Sequence, residues 1–540
     1  MAQKSTGVAY KQTVLEDHWD AIVIGSGIGG LTTAALLAKH AGKRVLVLER
    51  HYTAGGFTHT FHRPGYEWDV GVHYVGQVQD PASPVRAAFD HLTEGRLAWN
   101  PMPAVYDEIR IGERLYKFSS GFEQFRDGLA AKFPSEARAI DRYLAAVRSC
   151  VKTSDLYYAE KAIPRIAARL AGAWMRAPFL RWANQTTAEV LAGITSNREL
   201  IGVLTAQWGD YGLPPAQSSF AIHATVVEHY INGASYPVGG ASQIAASIAP
   251  VIERAGGKIV VSAEVDKVVL DGSRRAIGVR MVDGREFRAP VVVSDAGALN
   301  TFCRLLPPDT PECSSIVSDI RAIGHSMSYL NLYVGLNRSA ENLGLNGTNI
   351  WAYPSPDHDA NVARYCADPA APFAALYISF PSAKDPDFGR RHPGHSTIEV
   401  ITLAPYRWFT EWENTRWRHR GPQYDDLKQR FTERLLGVLE QHVPAVRGNI
   451  DHAEISTPLT TRHFSNHQQG EAYGLSATPA RFRLRSLCAQ TPVRNLLLTG
   501  QDVTSLGVTG ALFGGAVAAS AILRRNLVTA ISRSTASRAA

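Results

Sequence analysis

The chain has 540 residues, enough for two packed units. Its 45% hydrophobic and 19% charged content excludes a disordered chain, and a net charge of +7 spread over this length excludes a nucleic-acid binder with clustered basic charge. Five cysteines with no CxxC pair suit a reducing compartment and argue against a disulfide framework or a cysteine-built zinc site. The polar stretch Met1 to Asp17 lacks the apolar core of a secretory signal, and no apolar run is long enough to span a bilayer. The expected location is the cytoplasm, with peripheral attachment at a membrane surface as the alternative.

Taken in chain order, the first informative segment is Asp20 to Gly30, DAIVIGSGIGG. Ala21 to Ile24 are a short apolar run of the kind that forms a buried parallel strand. Gly25, Gly27 and Gly30 follow at the spacing of a dinucleotide turn, with Gly29 in the same turn. Gly25 permits the tight turn, Gly27 lets a pyrophosphate approach the backbone, and Gly30 allows close helix–strand packing. The spacing predicts a helix from Leu31 to about Ala41, stopped by Gly42, with its N-terminal amides facing the phosphates. A second strand, Arg44 to Leu48, ends at Glu49, which is placed to accept hydrogen bonds from the adenosine ribose hydroxyls, with Arg50 beside it. Beyond it, Gly55-Gly56 with Thr58 and Thr60 resembles the sequel that FAD-binding proteins carry after the ribose acid.

In the middle of the chain, Ile259 to Glu264 reads as a strand, followed by Val265 and a β-meander through Phe287. Val265 resembles the position at which such flavoproteins touch adenine through the backbone. Ser294 to Gly297 resembles the return to the nucleotide domain. No second glycine fingerprint with a ribose acid is present, so a resident nicotinamide domain is not expected. Near the end, NLLLTG leads into QDVTSLGVTGALFGGAVAAS. A buried strand reaches Gly500, Asp502 follows, and Gly510 with Ala511 opens a small-residue helix to Leu523. An acid at a strand end before a helix start can hydrogen-bond the ribityl hydroxyls, and the helix N-terminus can face the flavin.

These motifs carry a resemblance to the phytoene desaturase, carotenoid isomerase and retinol saturase group of flavoproteins. The matching stretches are VGVHYVG at Val70 to Gly76, WGDYGLPP at Trp208 to Pro215 and HYINGASYPVGGASQI at His229 to Ile244. GEAYGL at Gly470 to Leu475 and LTGQDVTSLGVTGAL at Leu498 to Leu512 continue it in family order, and the later stretches look nearest the retinol saturase and carotenoid isomerase branch. The resemblance implies an α/β fold: a Rossmann-like FAD-binding domain of the glutathione-reductase type with an inserted α+β substrate domain. The FAD domain is expected over 17–110, 231–310 and 485–530, the substrate domain over 111–230 and 311–484, with flexible ends at 1–16 and 531–540. In the second insertion, Ser328 to Val334, Ala374 to Phe380 and Ser396 to Leu403 read as an antiparallel sheet over the flavin, with a helix from Tyr424 to Gln441 beside it.

The same resemblance implies FAD-dependent saturation, desaturation or cis–trans isomerisation of C–C bonds in a retinoid, carotenoid or fatty-acyl chain, with an external electron donor or acceptor. An amine-oxidase-like flavoenzyme and a non-enzymatic FAD-containing lipid-binding protein are the alternatives. His73 and Tyr74 resemble the stretch that runs close to the flavin. His73 there either relays a proton or hydrogen-bonds the backbone. Asp210 is a proton donor or a turn cap, and Tyr473 a cavity-wall residue. No metal-ligand spacing stands out among the 18 histidines. Lys161 to Trp182 carries five basic residues and no acid, with Ile163, Ile166, Leu170 and Trp174 at helical spacing. That pattern suits either a peripheral membrane contact or a packed helix with a solvated basic face, ended at Pro164 and Pro178.

Overall fold

A computed structural model describes residues 5–163, 165–308 and 310–536. A six-stranded parallel sheet runs in the order Val8–Ala9, Lys258–Val261, Val45–Leu48, Ala21–Ile24, Val292–Ser294, Leu496–Leu498. All residues of Ala21–Ile24 and Val45–Leu48 are buried, as continuous apolar runs in a sheet covered on both faces must be. Strand order reverses beside Ala21–Ile24, and the crevice outside the carboxyl ends of this strand and of Val292–Ser294 is where such folds bind ligands. Helix α1, Ile28–Ala41, leaves that strand and stops at Gly42, whose left-handed φ of 57° lets its N–H reach back to Ala38.

The helix starts three residues before the expected Leu31, so Gly29 and Gly30 lie within its first turn. The middle strand likewise ends at Val261 rather than Glu264, and Val265–Leu270 opens the three-stranded meander with Ala276–Met281 and Glu286–Arg288. The expected flexible start is structured where described: Val8–Ala9 pairs in parallel with Lys258–Val261 as an edge strand. At the other end Ile531 is buried in a helix Leu527–Ala536. Residues 1–4 and 537–540 lie outside the described residues.

Above this layer stands a seven-stranded sheet, ordered Ile450–Ser456, Tyr329–Leu336, Ser396–Leu403, Leu376–Ser379, Asn349–Tyr353, Val105–Ile111, Arg114–Ser119. The three expected segments pair antiparallel, and the whole sheet is mixed because Asn349–Tyr353 pairs in parallel with Val105–Ile111. That pairing draws residues 105–110, expected with the nucleotide domain, into the upper sheet. Two helices, α2 (Ala137–Ala162) and α3 (Arg165–Ala183), pack as a hairpin on its flank, and Pro422–His442 forms the long helix expected near Tyr424. α3 runs through Pro178, which costs it one backbone hydrogen bond without ending it. Pro164 and the side chain of Ile166, both used in the sequence reading, lie outside the described residues. No helix among the described residues is long and apolar enough to cross a membrane.

Candidate flavin and substrate site

One cavity of about 2290 Å³ runs from the glycine turn, between the two layers, to the upper sheet. Single-ligand pockets are about 300–1,000 Å³, so this space admits a dinucleotide and a long second molecule together. Gly25, Gly27, Gly29, Glu49, Arg50, Gly55, Gly56, Val265, Gly500, Asp502, Gly510 and Ala511 all line it. Gly30 stands behind the wall, where an added Cβ would lie 2.4 Å from the Gly25 carbonyl oxygen. It is the packing glycine that the spacing assigns.

The cradle is built by backbone. Gly56 comes so close to the first turn that a Cβ there would sit 3.0 Å from the Gly27 Cα. Gly55 donates its N–H to the Ser26 carbonyl at 3.1 Å. Glu49 is buried, its Oε2 accepting from the Ser26 N–H at 2.9 Å and hydroxyl at 2.7 Å, and its Oε1 from the His51 N–H at 2.8 Å. The acid thereby ties the strand end to the turn, and Oε1 keeps acceptor capacity toward the cavity. On the opposite side, helix α4, Gly507–Leu523, starts three residues before the expected Gly510, and a Cβ on Gly510 would lie 2.0 Å from the Ser505 oxygen. α4 crosses α1 closely enough that a Cβ on Gly515 would meet the Gly29 oxygen at 2.5 Å. Asp502 accepts from the Ala298 N–H at 2.8 Å and faces the buried Arg481 guanidinium at 3.7 Å.

Asp295, not singled out as a site residue from the sequence, stands inside the cradle. Its carboxyl oxygens lie 2.6 Å from where Cβ atoms on Gly27 and Gly29 would be. Burial, with the charges of Glu49 and Asp502 added, pushes its carboxyl up to about 8, against the amides of Gly30 and Gly27. Asp295 thus sits on the amides at the start of α1, where a helix N-terminus favours an anion. Buried glycine backbone, a helix N-terminus and the buried Glu49 carboxylate in one crevice fit the pyrophosphate and ribose of FAD.

The far half of the cavity is aromatic. Tyr74 and Tyr230 stack at 4.2 Å with an interplanar angle of 9°, Trp351 and Tyr377 meet at 4.5 Å, and Tyr473 meets Tyr329 edge-on at 6.3 Å. Asp210 closes the turn Trp208–Asp210 and faces the cavity instead of capping the turn, its Oδ2 accepting from the Tyr74 hydroxyl at 3.1 Å. Burial, reinforced by the neighbouring Asp107 charge, pushes Asp210 up to about 8. The His73 ring turns from the backbone toward a carboxylate, with Nδ1 2.8 Å from Glu399 Oε2. Burial holds His73 down to about 4 despite Asp69, and raises Glu399 and Asp69 to about 8 each. Asp69, His73 and Glu399 are the kind of triplet that can hold a metal ion, which no spacing in the sequence announced. The charge of Lys384 also bears on Glu399 and Asp69.

The flavin containing amine oxidoreductase family matches residues 28–523. All-trans-retinol 13,14-reductase of Danio rerio is 38% identical, over 94% of this chain and 86% of its own. Prolycopene isomerase 1 of an Oncidium hybrid is 26% identical, over 85% and 75% respectively. A solved structure of wild-type putrescine oxidase bound to putrescine covers 94% of this chain and 99% of its own with a TM-score of 0.61, at 14% identity, which speaks for the fold. Family, fold and cradle agree: the chain belongs to the flavin containing amine oxidoreductases, in the branch of the all-trans-retinol 13,14-reductases, and is an FAD-dependent oxidoreductase.

Proposed function

We propose that this flavoprotein saturates one C=C bond of a lipophilic polyene of the retinoid class, the proton coming from Asp210. The observation that carries the reading is a carboxyl on an aromatic cavity wall, held by Tyr74 at 3.1 Å and pushed up to about 8 by burial. Bound FAD supplies the two-electron chemistry at its isoalloxazine ring. Gly25, Gly27, Glu49 and Asp502 hold and orient it, and the tyrosines exclude water and hold the apolar chain. Asp210 then gives its proton to the second carbon of the double bond. An external donor must restore the electrons. The names of the relatives support the substrate class.

Substrate entry is proposed at the α2–α3 hairpin. Val151, Leu156 and Ile163 line the cavity on its α2 side, while Leu170 and Trp174 of α3 are 84% and 71% exposed. Apolar anchors among arginines beside a cavity wall suit contact with a lipid surface. To test the function, chemically reduced protein is incubated anaerobically with all-trans-retinol and with lycopene isomers. A product heavier by two hydrogens supports saturation, and Asp210→Asn should slow it by about 10²–10⁴-fold with the flavin spectrum retained. Unchanged mass with altered retention would refute saturation in favour of isomerisation.

A further inference from the structure

We infer that Asp107, held ionised by its own donors and bridged through Asn349 to Lys384, keeps the proton on Asp210; neither Asp107 nor Lys384 reaches the cavity. Both are positioning residues for the proposed donor, so the inference rests on that reading. Asp107 is wholly buried in the strand Val105–Ile111. Its Oδ1 accepts from Asn349 Nδ2 at 2.9 Å, and its Oδ2 from Gln207 Nε2 at 2.9 Å, Trp351 Nε1 at 3.2 Å and the Tyr74 hydroxyl at 3.3 Å. Lys384 is 2% exposed and donates to Asn349 Oδ1 at 2.5 Å, Ser379 Oγ at 2.8 Å and the His73 carbonyl at 3.0 Å. Asn349 therefore spans the pair, its oxygen on the ammonium and its nitrogen on the carboxylate.

The asymmetry decides where the proton sits. The Tyr74 hydroxyl has one hydrogen and two carboxyls in reach, at 3.1 Å and 3.3 Å. Two buried carboxylates sharing one donor cannot both stay ionised at low cost. Asp107 has three further donors and, through Asn349, a cation. Asp210 faces mostly neutral groups: Tyr74, Tyr230, Tyr329, Tyr353, Tyr377 and Tyr473, whose hydroxyls burial pushes far above neutral pH. The charged groups facing it are Asp107, which opposes its ionisation, and Lys384, which favours it. Lys384 is itself also faced by Glu399 and Asp69 from the His73 side. Two acids with environments this different divide into one charged and one neutral member. In the reaction the Asp210 O–H bond breaks as the new C–H bond forms. The carboxylate left behind recovers its proton from solvent, while bound reduced FAD would supply the other hydrogen with its electron pair and would be recharged by an external donor.

The test is the titration of Asp210 in FAD-loaded protein carrying ¹³C-carboxyl aspartate, read by NMR without substrate, alongside the pH profile of turnover. Asp107→Asn removes the like charge and should move both the Asp210 titration and the alkaline loss of rate to lower pH by at least about one unit. Lys384→Met removes the cation that holds Asp107 ionised and should move the Asp107 titration, read in the same spectra, to higher pH. A lowered Asp210 titration in the first variant and a raised Asp107 titration in the second support the pair, and an unmoved titration in either folded variant overturns it. If Asp107→Asn fails to fold, Lys384→Met alone decides. Full turnover in Asp210→Asn would instead sink the donor reading, which separates the two failures.

Discussion

Replacing Gly30 with alanine tests whether the first turn is a rigid phosphate cradle. The added Cβ would lie 2.4 Å from the Gly25 carbonyl oxygen and 3.0 Å from Asp295 Oδ2. Backbone cannot swing aside as a side chain can. Gly25 must therefore move, although its φ of 96° and its N–H bond to the Leu48 oxygen at 2.9 Å fix the turn. Overpacking of this kind costs about 1–3 kcal/mol. If the strain falls on the loop that binds the cofactor, affinity for FAD weakens by about 5- to 150-fold, at roughly 1.4 kcal/mol per decade. Apoprotein titrated with FAD, followed by quenching of flavin fluorescence, measures this directly. Gly42→Ala is the control: its Cβ meets nothing within 4 Å, so strain at φ 57° lowers stability but leaves FAD affinity alone. Gly30→Ala binding FAD within twofold of the parent would refute the cradle argument.

Removing the Asp502 carboxylate as alanine leaves Arg481, 3% exposed, facing an emptied partner position. Breaking a buried pair this way costs about 3–5 kcal/mol, readable as a lower denaturant midpoint, and a loss under about 1 kcal/mol would contradict it. Asp210, raised to about 8, favours the fold through its protonated form. Its contribution is full below the unfolded value of about 4 and is lost as pH rises through 8, at up to about 1.4 kcal/mol per pH unit. Asp210→Asn should therefore flatten the fall of stability between about pH 6 and 8, measured by denaturation across that range; an unchanged slope counts against a neutral Asp210. Leu170→Glu with Trp174→Glu, both at exposed positions, should abolish cosedimentation with anionic liposomes while leaving the melting temperature in place. Undiminished cosedimentation would move the lipid contact elsewhere.

The nucleotide half was legible because its chemistry is done by backbone. A pyrophosphate approaching amide groups demands glycine at Gly25 and Gly27, and such demands appear as spacing in one short segment. Helix starts were read late at α1 and α4, since glycines inside a first turn look like loop. The acid–base half was not legible. Asp107 sits in VYDEIRI, whose charges read as those of a partly exposed strand. Its burial comes from pairing with Asn349–Tyr353, more than two hundred residues away, which seats Asn349 opposite it. Lys384 ends the short helix Pro381–Lys384, and nothing local marks that lysine as buried. The available signals were His73 and Tyr74 in VGVHYVG and Asp210, which WGDYG places next to glycine and aromatic residues.

Desolvation serves binding and chemistry at once in this cavity. The aromatic wall that would receive an apolar chain is also what keeps Asp210 protonated, because burial is the largest influence on that carboxyl. A chain seated against Tyr74 and Tyr377 deepens that desolvation and raises its proton affinity further. The acid therefore holds its proton more tightly with substrate bound than without, and releases it only when a carbon of the substrate becomes basic enough to take it. Asp107, held behind Tyr74 by Gln207, Asn349 and Trp351, is insulated from that change. Filling the cavity with a non-reactive apolar ligand should thus move the Asp210 titration upward and leave Asp107 in place, which ties the proton to occupancy of the site.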